Sequence, residues 1–226
     1  MARTIIVIPA YNEERTITDV VRDATAVADA VVVVDDGSRD RSGALAKNAG
    51  AIVVRHAVNR GLGGALGTGI TAALRLGADA IVTMDGDGQH RAEDARRIFG
   101  RLASGDVDFV IGSRLLPQES GGKMPFHRVM FNKFANLFTY ALFGVFVTDS
   151  QSGLRGLSRA AAEQVDLRTN GMEVSTEFIK EAKEKRWRLA EIPIPAIYTD
   201  YSLSKGQSFA GGVKTAAKLF IRRFIG

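Results

Sequence analysis

Five short runs rich in β-branched residues constrain this chain more than any other feature: residues 3–8 (Arg-Thr-Ile-Ile-Val-Ile), 30–35 (Ala-Val-Val-Val-Val-Asp), 51–55 (Ala-Ile-Val-Val-Arg), 79–84 (Asp-Ala-Ile-Val-Thr-Met) and 107–112 (Val-Asp-Phe-Val-Ile-Gly). None alternates strictly between apolar and polar, which is the pattern of strands buried on both faces. Helical patterns separate them. The clearest sets Ile17, Val20, Val21, Ala24, Val27 and Ala28 on one stripe, with Asn12 as the expected cap. Strand and helix therefore alternate at least four times. This predicts an α/β fold with a mostly parallel central sheet flanked by helices, and it places ligands beyond the carboxyl ends of the strands. With 226 residues, 46% of them hydrophobic, no internal repeat and no long linker, the chain reads as a single domain spanning 1–226.

The absence of cysteine excludes disulfides, thiolate metal sites and cysteine nucleophiles, and His56, His90 and His127 are too scattered for a histidine-rich motif. Any metal site rests on oxygen ligands. The apolar run near the N-terminus is short and ends at Pro9 with no cleavage pattern after it, so it reads as a first strand and not a signal peptide. The longest uncharged stretch, Phe134 to Thr148, falls short of the roughly 18–20 residues needed to cross a bilayer. Charge is uneven. Residues 1–113 carry 13 basic and 15 acidic side chains (−2), residues 114–226 carry 17 and 10 (+7), and the second half is expected to meet something anionic.

Beyond Gly112 the pattern changes to a Gly- and Ser-containing loop (117–125) and then an aromatic helical segment, 126–147, with Phe131, Phe134, Phe138, Tyr140, Phe143 and Phe146. Phenylalanine at this spacing is expected mostly to pack in the core. Residues 188–197 read as another strand. The C-terminal stretch is amphipathic: Val213, Ala216, Ala217, Phe220, Ile221 and Phe224 share one face beside a stripe of Lys214, Lys218 and Arg222. Together the aromatic helix and this basic end suit a surface that lies on an anionic membrane without spanning it, which makes the expected location cytoplasmic and peripheral, at the inner membrane face.

The strongest chemical signal is Asp85-Gly86-Asp87-Gly88-Gln89-His90, directly after a predicted strand. Two carboxylates at i, i+2 on a tight turn converge on one hard cation, Mg2+ or Mn2+, which keeps positions open for diphosphate oxygens. An isolated Asp-x-Asp is more often a solvated acidic turn. Its company changes that weighting. Pro9-Ala10-Tyr11-Asn12-Glu13 and Asp35-Asp36-Gly37-Ser38 stand at the ends of the first two strands and offer an aromatic face, acceptor carboxylates and turn amides suited to a base and ribose.

These stretches, in this order, resemble the signature of glycosyltransferase family 2, in its dolichol-phosphate mannose synthase-like, polyprenyl-phosphate branch. Further matches are Asn59-Arg60-Gly61-Leu62-Gly63-Gly64, Gly112-Ser113-Arg114, Asp149-Ser150-Gln151-Ser152-Gly153-Leu154-Arg155 and Tyr201-Ser202-Leu203-Ser204-Lys205-Gly206-Gln207-Ser208. The resemblance implies a GT-A-type nucleotide-binding fold, with residues 1–113 as the nucleotide-sugar half and 114–226 as the acceptor half. By resemblance, Pro9, Tyr11, Glu13 and Asp36 line the nucleoside pocket, and Asp85, Asp87 and Gln89 orient the metal and donor diphosphate. Arg114 and Lys205 neutralise phosphate charge on either side of the reaction, and Arg128 holds the acceptor's phosphate. The branch inverts the anomeric carbon while moving a sugar from UDP or GDP onto a lipid phosphate. Leu62 stands where many members have Lys.

Residue chemistry agrees with that reaction. A phosphate acceptor is already ionised near neutral pH, so the site needs charge management more than a general base. Asp149 reads either as a base or acceptor-positioning group, or as a structural cap. The expected function is a metal-dependent inverting glycosyltransferase acting on a nucleoside diphosphate sugar and a polyprenyl phosphate. Its rivals are a transferase with a saccharide or protein acceptor and a non-catalytic, membrane-peripheral nucleotide-binding protein. Nucleic acid is not an expected partner, because the basic residues are not organised with exposed aromatics into a recognition module. Gly67-Thr68-Gly69-Ile70-Thr71-Ala72 formally fits a dinucleotide fingerprint but sits inside the third helix pattern and not after the first strand. His90 reads equally as packing beside the acidic turn or touching the donor. His56 reads as structural or surface, Trp187 as core, and residues 201–208 as a closing lid.

Overall fold

A computed structural model of the chain describes residues 2–117 and 126–197, without the side chains of 126–128. The side chain of Arg128, Lys205, the 201–208 loop and the amphipathic C-terminal stretch lie outside the described residues. The elements run β1 (Thr4–Ala10), α1 (Ile17–Thr25), β2 (Ala30–Asp35), α2 (Ser42–Asn48), β3 (Ile52–Arg55), α3 (Gly61–Arg75), β4 (Ala80–Thr83), α4 (Ala92–Ala103), β5 (Phe109–Ser113), α5 (Phe126–Phe143), β6 (Arg155–Ser158), α6 (Arg159–Gln164), α7 (Val174–Glu184) and β7 (Leu189–Pro193).

The strands form one seven-stranded sheet in the order β3-β2-β1-β4-β6-β5-β7. β1 pairs in parallel with β2 and β4, β2 with β3, and β5 with β7. Among the described strands, β6 alone runs against its neighbours, wedged antiparallel between β4 and β5. The sequence did not announce it, because Arg-Gly-Leu-Ser contains a single large apolar residue. The reversal matters for function, since it brings the start of β6 to the edge where β4 and β5 end. One face of the sheet packs Ile6, Ile8, Val31, Val33, Val82 and Val110 against α1, α2 and α4. The other packs Ile5, Val7, Val32, Val34, Ile81 and Ile111 against α3, α6 and α7. Alternate residues of each strand serve opposite faces, hence the unbroken apolar runs. Trp187 belongs to this second core, as expected, tilted against Phe109 with ring centroids 6.0 Å apart.

Two local expectations are corrected. Asn12 does not cap α1. The helix starts after Thr16, while Asn12 takes a left-handed φ of 55° and its Oδ1 accepts from Arg39 N–H at 2.9 Å, a bond to the next strand's loop. α5 packs its aromatics less deeply than predicted: Phe131, Phe138 and Phe143 are only half-buried. Phe134 is 63% exposed and Leu137 64%, and Met130 and Tyr140 are also exposed, whereas Asn132, Asn136 and Thr139 are buried. The spacing fixed which residues share a face, but polar contacts beneath the helix decided which face turned inward.

Candidate active site

Three turns at the carboxyl edge of the sheet are stitched together by hydrogen bonds. Past β1, the N–H groups of Asn12 and Glu13 donate to Ser38 Oγ at 3.0 Å and Ser42 Oγ at 2.7 Å, which lie past β2. Thr16 Oγ1 donates to the carbonyl of Gly86 at 2.7 Å, tying in the turn past β4. This lattice presents Pro9, Tyr11 and Glu13 beside the acidic turn, with Tyr11 41% exposed. Asp36 lies deeper. It is buried, and its carboxylate accepts from Arg60 N–H and Gly61 N–H, both at 2.8 Å, and pairs with His56 Nδ1 at 2.6 Å. His56 Nε2 in turn meets Thr68 Oγ1 at 3.0 Å. A histidine read as structural or surface is therefore a buried brace for Asp36.

These contacts settle what the glycine-rich stretch 59–64 does locally. Asp36 closes the first amides of α3, and Gly63 N–H donates to the carbonyl of Asn170 at 3.0 Å. A Cβ on Gly63 would lie 1.7 Å from Thr169 O, so glycine is needed for backbone contact with residues 169–170. The N-terminus of α3 is consequently occupied by protein acceptors and is not an open phosphate cradle. The Gly67–Ala72 stretch falls within α3, away from any strand-to-helix turn.

Past β4, Asp85 and Asp87 share the expected turn. The Asp85 side chain keeps 39% of its surface open although protein crowds it closely on its other sides, and its Oδ2 lies 3.3 Å from His90 Nε2. Burial opposes its ionisation, but the bond to His90 and the charges of His90, Arg155 and Arg114 prevail and hold its carboxyl below the usual value. Asp87 moves the other way: burial, then the charge of Asp85, pushes its carboxyl up. Gln89 locks Asp87 in place, its backbone N–H donating to Oδ1 at 3.0 Å and its Nε2 to Oδ2 at 2.7 Å. Among the described residues no group of three or more His, Asp or Glu side chains forms a ready-made metal cage. Two crowded carboxylates, one of them held against its neighbour's charge, nevertheless fit a divalent cation whose remaining ligands come from diphosphate and water. Gly153 passes so close under this pair that a Cβ would lie 2.0 Å from Asp85 Oδ2.

The second charged cluster assembles from β5, β6 and the loop after α5. Arg114, just past β5, meets the fully buried Asp149 through three bonds: its N–H at 3.0 Å and Nε at 2.8 Å to Oδ2, and Nη2 at 2.9 Å to Oδ1. Both Asp149 carboxylate oxygens are thus turned to Arg114. Arg155, at the start of β6, is only 2% exposed, stands over the Phe178 ring at 5.3 Å, and has an Nη2 with no hydrogen-bond partner among the described residues. Burial lowers its guanidinium to about 10 against the support of Asp85 and Asp149. Arg155 stands in the 149–155 motif, but its role is not legible locally, because its two carboxylate neighbours, Asp85 and Asp149, lie on different loops. The expected residues therefore gather as two clusters, Asp85–Asp87–Gln89–His90 and Arg114–Asp149, with Arg155 interacting electrostatically with both.

Comparison with known proteins places this geometry. Residues 5–165 match the family model for glycosyl transferase family 2. The chain is 34% identical over 236 residues to UDP-N-acetylglucosamine–dolichyl-phosphate N-acetylglucosaminyltransferase of Methanococcus voltae, covering 96% of this chain and 94% of that protein. It is 31% identical over 214 residues to polyprenol monophosphomannose synthase of Mycolicibacterium smegmatis, covering 90% and 80% respectively. In fold it is similar to glucosyl-3-phosphoglycerate synthase from Mycobacterium tuberculosis, crystallised with Mn2+, uridine diphosphate and phosphoglyceric acid, with a TM-score of 0.76 at 21% identity over 100% of this chain and 80% of that one. The parallel sheet with its one reversed strand is thus a GT-A fold, and the chain belongs to glycosyltransferase family 2, in its polyprenyl-phosphate glycosyltransferase branch.

Proposed function

We propose that this protein transfers a sugar from UDP or GDP to a polyprenyl phosphate at a membrane surface, with inversion at the anomeric carbon. The observation that carries the reading is that the crowded Asp85–Asp87 turn past β4 and an arginine clamped by buried Asp149 past β5 stand at the same carboxyl edge of the sheet. The names of the similar relatives, one an N-acetylglucosamine transferase and one a mannose-phosphate synthase, support the acceptor class while differing in the sugar.

Asp85 and Asp87 would hold Mg2+ or Mn2+, with Gln89 bracing Asp87, and the ion supplies charge stabilisation for the departing diphosphate. Pro9, Tyr11 and Glu13 hold the nucleoside, and Asp36 acts one layer beneath them by fixing the start of α3. Arg114, held in one orientation by Asp149, neutralises phosphate charge; Arg128 and Lys205 add to this on the acceptor side. No side chain needs to remove a proton, because the acceptor phosphate arrives ionised. The exposed face of α5, with Met130, Phe134, Leu137 and Tyr140, favours a lipid acceptor over a soluble saccharide, since it offers apolar area to a bilayer. Among the described residues no helix is long and apolar enough to cross a membrane, which suits attachment from one side.

The test is transfer from radiolabelled UDP- and GDP-sugars to a polyprenyl phosphate in detergent, with and without Mn2+ or Mg2+. The expected result is metal-dependent product with one nucleotide class and its loss in Asp87→Ala at unchanged thermal stability. Full activity of Asp87→Ala, or metal-independent transfer, overturns the metal assignment.

A further inference from the structure

The turn that carries Asp149 is gripped from two sides by residues with no role in the reading above. From β7, Glu191 Oε1 accepts from Thr148 N–H and Thr148 Oγ1, both at 2.9 Å, and from Asp149 N–H at 3.4 Å; its Oε2 shares Thr148 N–H at 3.0 Å. From the inward face of α5, Asn136 Nδ2 donates to Thr148 O at 2.5 Å, and Asn136 Oδ1 accepts from Ser150 N–H at 2.9 Å. Thr148 Oγ1 also meets Ser113 Oγ at 2.6 Å, one residue before Arg114. Every polar backbone group on either side of Asp149 named here ends on one of these two side chains, and Asp149 then spends both carboxylate oxygens on Arg114.

We infer that Glu191 and Asn136 are positioning residues that act through Asp149 to hold the Arg114 guanidinium in the orientation that meets phosphate. The inference rests on the proposed role of Arg114 in meeting phosphate. Its physical basis is that a bidentate arginine is useful only in one orientation, and that orientation is inherited from the turn that Glu191 and Asn136 grip. Glu191 suits the task because three donors converge on it. A glutamine there would set an amide N–H2 against the N–H of Thr148, so even this isosteric change should let the turn shift. A displacement near 1 Å at a reacting group costs on the order of 10²-fold in rate.

The experiment compares Glu191→Gln and Asn136→Ala, each in the wild-type and Arg114→Ala backgrounds. Transfer to polyprenyl phosphate gives kcat and acceptor KM, calorimetry gives nucleoside diphosphate affinity, and 15N NMR gives the hydrogen exchange rate of the Arg114 Nε–H group. The expected result is a fall in kcat/KM of about 10- to 100-fold for each variant, and faster Arg114 Nε–H exchange. In the Arg114→Ala background the same changes should have little further effect. Equal fold losses in both backgrounds, or unaltered Arg114 exchange, overturn the inference. If the wild-type protein transfers no sugar to polyprenyl phosphate, the functional reading fails, while the exchange measurement still decides the positioning role. If one variant does not fold, the other decides the question alone.

Discussion

Replacing Gly153 with alanine should disable the donor site while leaving the fold standing. The backbone at Gly153 lies outside the left-handed region, so alanine meets no conformational penalty there, and the whole effect is steric. Its Cβ would sit 2.0 Å from Asp85 Oδ2, 2.4 Å from Cγ and 2.5 Å from Oδ1, whereas ordinary contact begins at 3.4 Å. The nearest oxygen must therefore withdraw by 1.4 Å, or the 150–154 turn must lift. Thr83 Oγ1 resists the second route through its 3.0 Å bond to Gly153 O, and Asp85 is the softer partner. Overpacking of this kind costs roughly 1–3 kcal/mol of stability, too little to unfold an ordinary domain. If Asp85 holds the metal as proposed, displacing its carboxylate by more than 1 Å should cost transfer on the order of 10²-fold or more, and metal-dependent nucleotide affinity with it. Isothermal titration of UDP and GDP with Mn2+, run beside urea denaturation of the same variant, separates the two effects. Nucleotide affinity within twofold of wild type in a folded Gly153→Ala protein would refute the argument that Gly153 sets the position of Asp85.

Two further outcomes follow from the rest of the molecule. The pair Phe134→Glu and Leu137→Glu alters side chains that are more than 60% exposed, so thermal stability should hold, yet cosedimentation with anionic vesicles should weaken by roughly two to four orders of magnitude at about 1.5–3 kcal/mol per large apolar side chain. Undiminished vesicle binding would remove α5 from the membrane surface. Asp108 joins the starts of β5 and β7 through Arg188, whose Nε and Nη2 both lie 2.9 Å from its carboxylate, and that bond holds its carboxyl below the ordinary 3.8. A lowered carboxyl stabilises the fold above its unfolded value and loses that contribution as pH falls through the folded one. Asp108→Asn should thus cost about 1 kcal/mol near pH 7, modest because Arg188 is largely exposed, with the deficit closing below roughly pH 4 in denaturation curves.

What was legible in the sequence was whatever burial on two faces writes locally. Ile5 to Ile8, Val31 to Val34 and Phe109 to Ile111 serve both cores in alternation, and their runs marked β1, β2 and β5 without help from tertiary structure. The acidic turn was equally visible, since Asp85, Asp87 and Gln89 interact within a span of five residues. What stayed hidden depends on partners far apart in the chain. His56 matters because of Asp36, 20 residues earlier, and Glu191 because of Thr148, 43 residues before it. α5 was misjudged for a different reason. Hydrophobic periodicity identifies a face but not its direction, and the spacing of Asn132, Asn136 and Thr139 at four and three residues was the signal that a polar stripe also needed a home. On α7, Glu177 likewise turns inward to accept from Arg168 N–H and Thr169 N–H, both at 3.0 Å, where helix patterning alone would have assigned it to solvent.

The buried arginine at the head of β6 also bears on how the chain finds its pairing. A four-residue strand with one large apolar side chain has little hydrophobic pattern to choose its alignment between β4 and β5. Arg155 and Gly156 supply the choice instead. A shift by one position would swing Arg155 to the side where a Cβ on Gly156 already lies 2.2 Å from Ile98 Cγ2 and 3.0 Å from Leu102 Cδ1, an apolar wall with neither room nor a counter-charge. Stranding a guanidinium there costs several kcal/mol, enough to reject the slipped pairing outright. A buried charge beside Asp85 and Asp149 thereby also proofreads the alignment of the strand that, among the described residues, runs against the rest of the sheet.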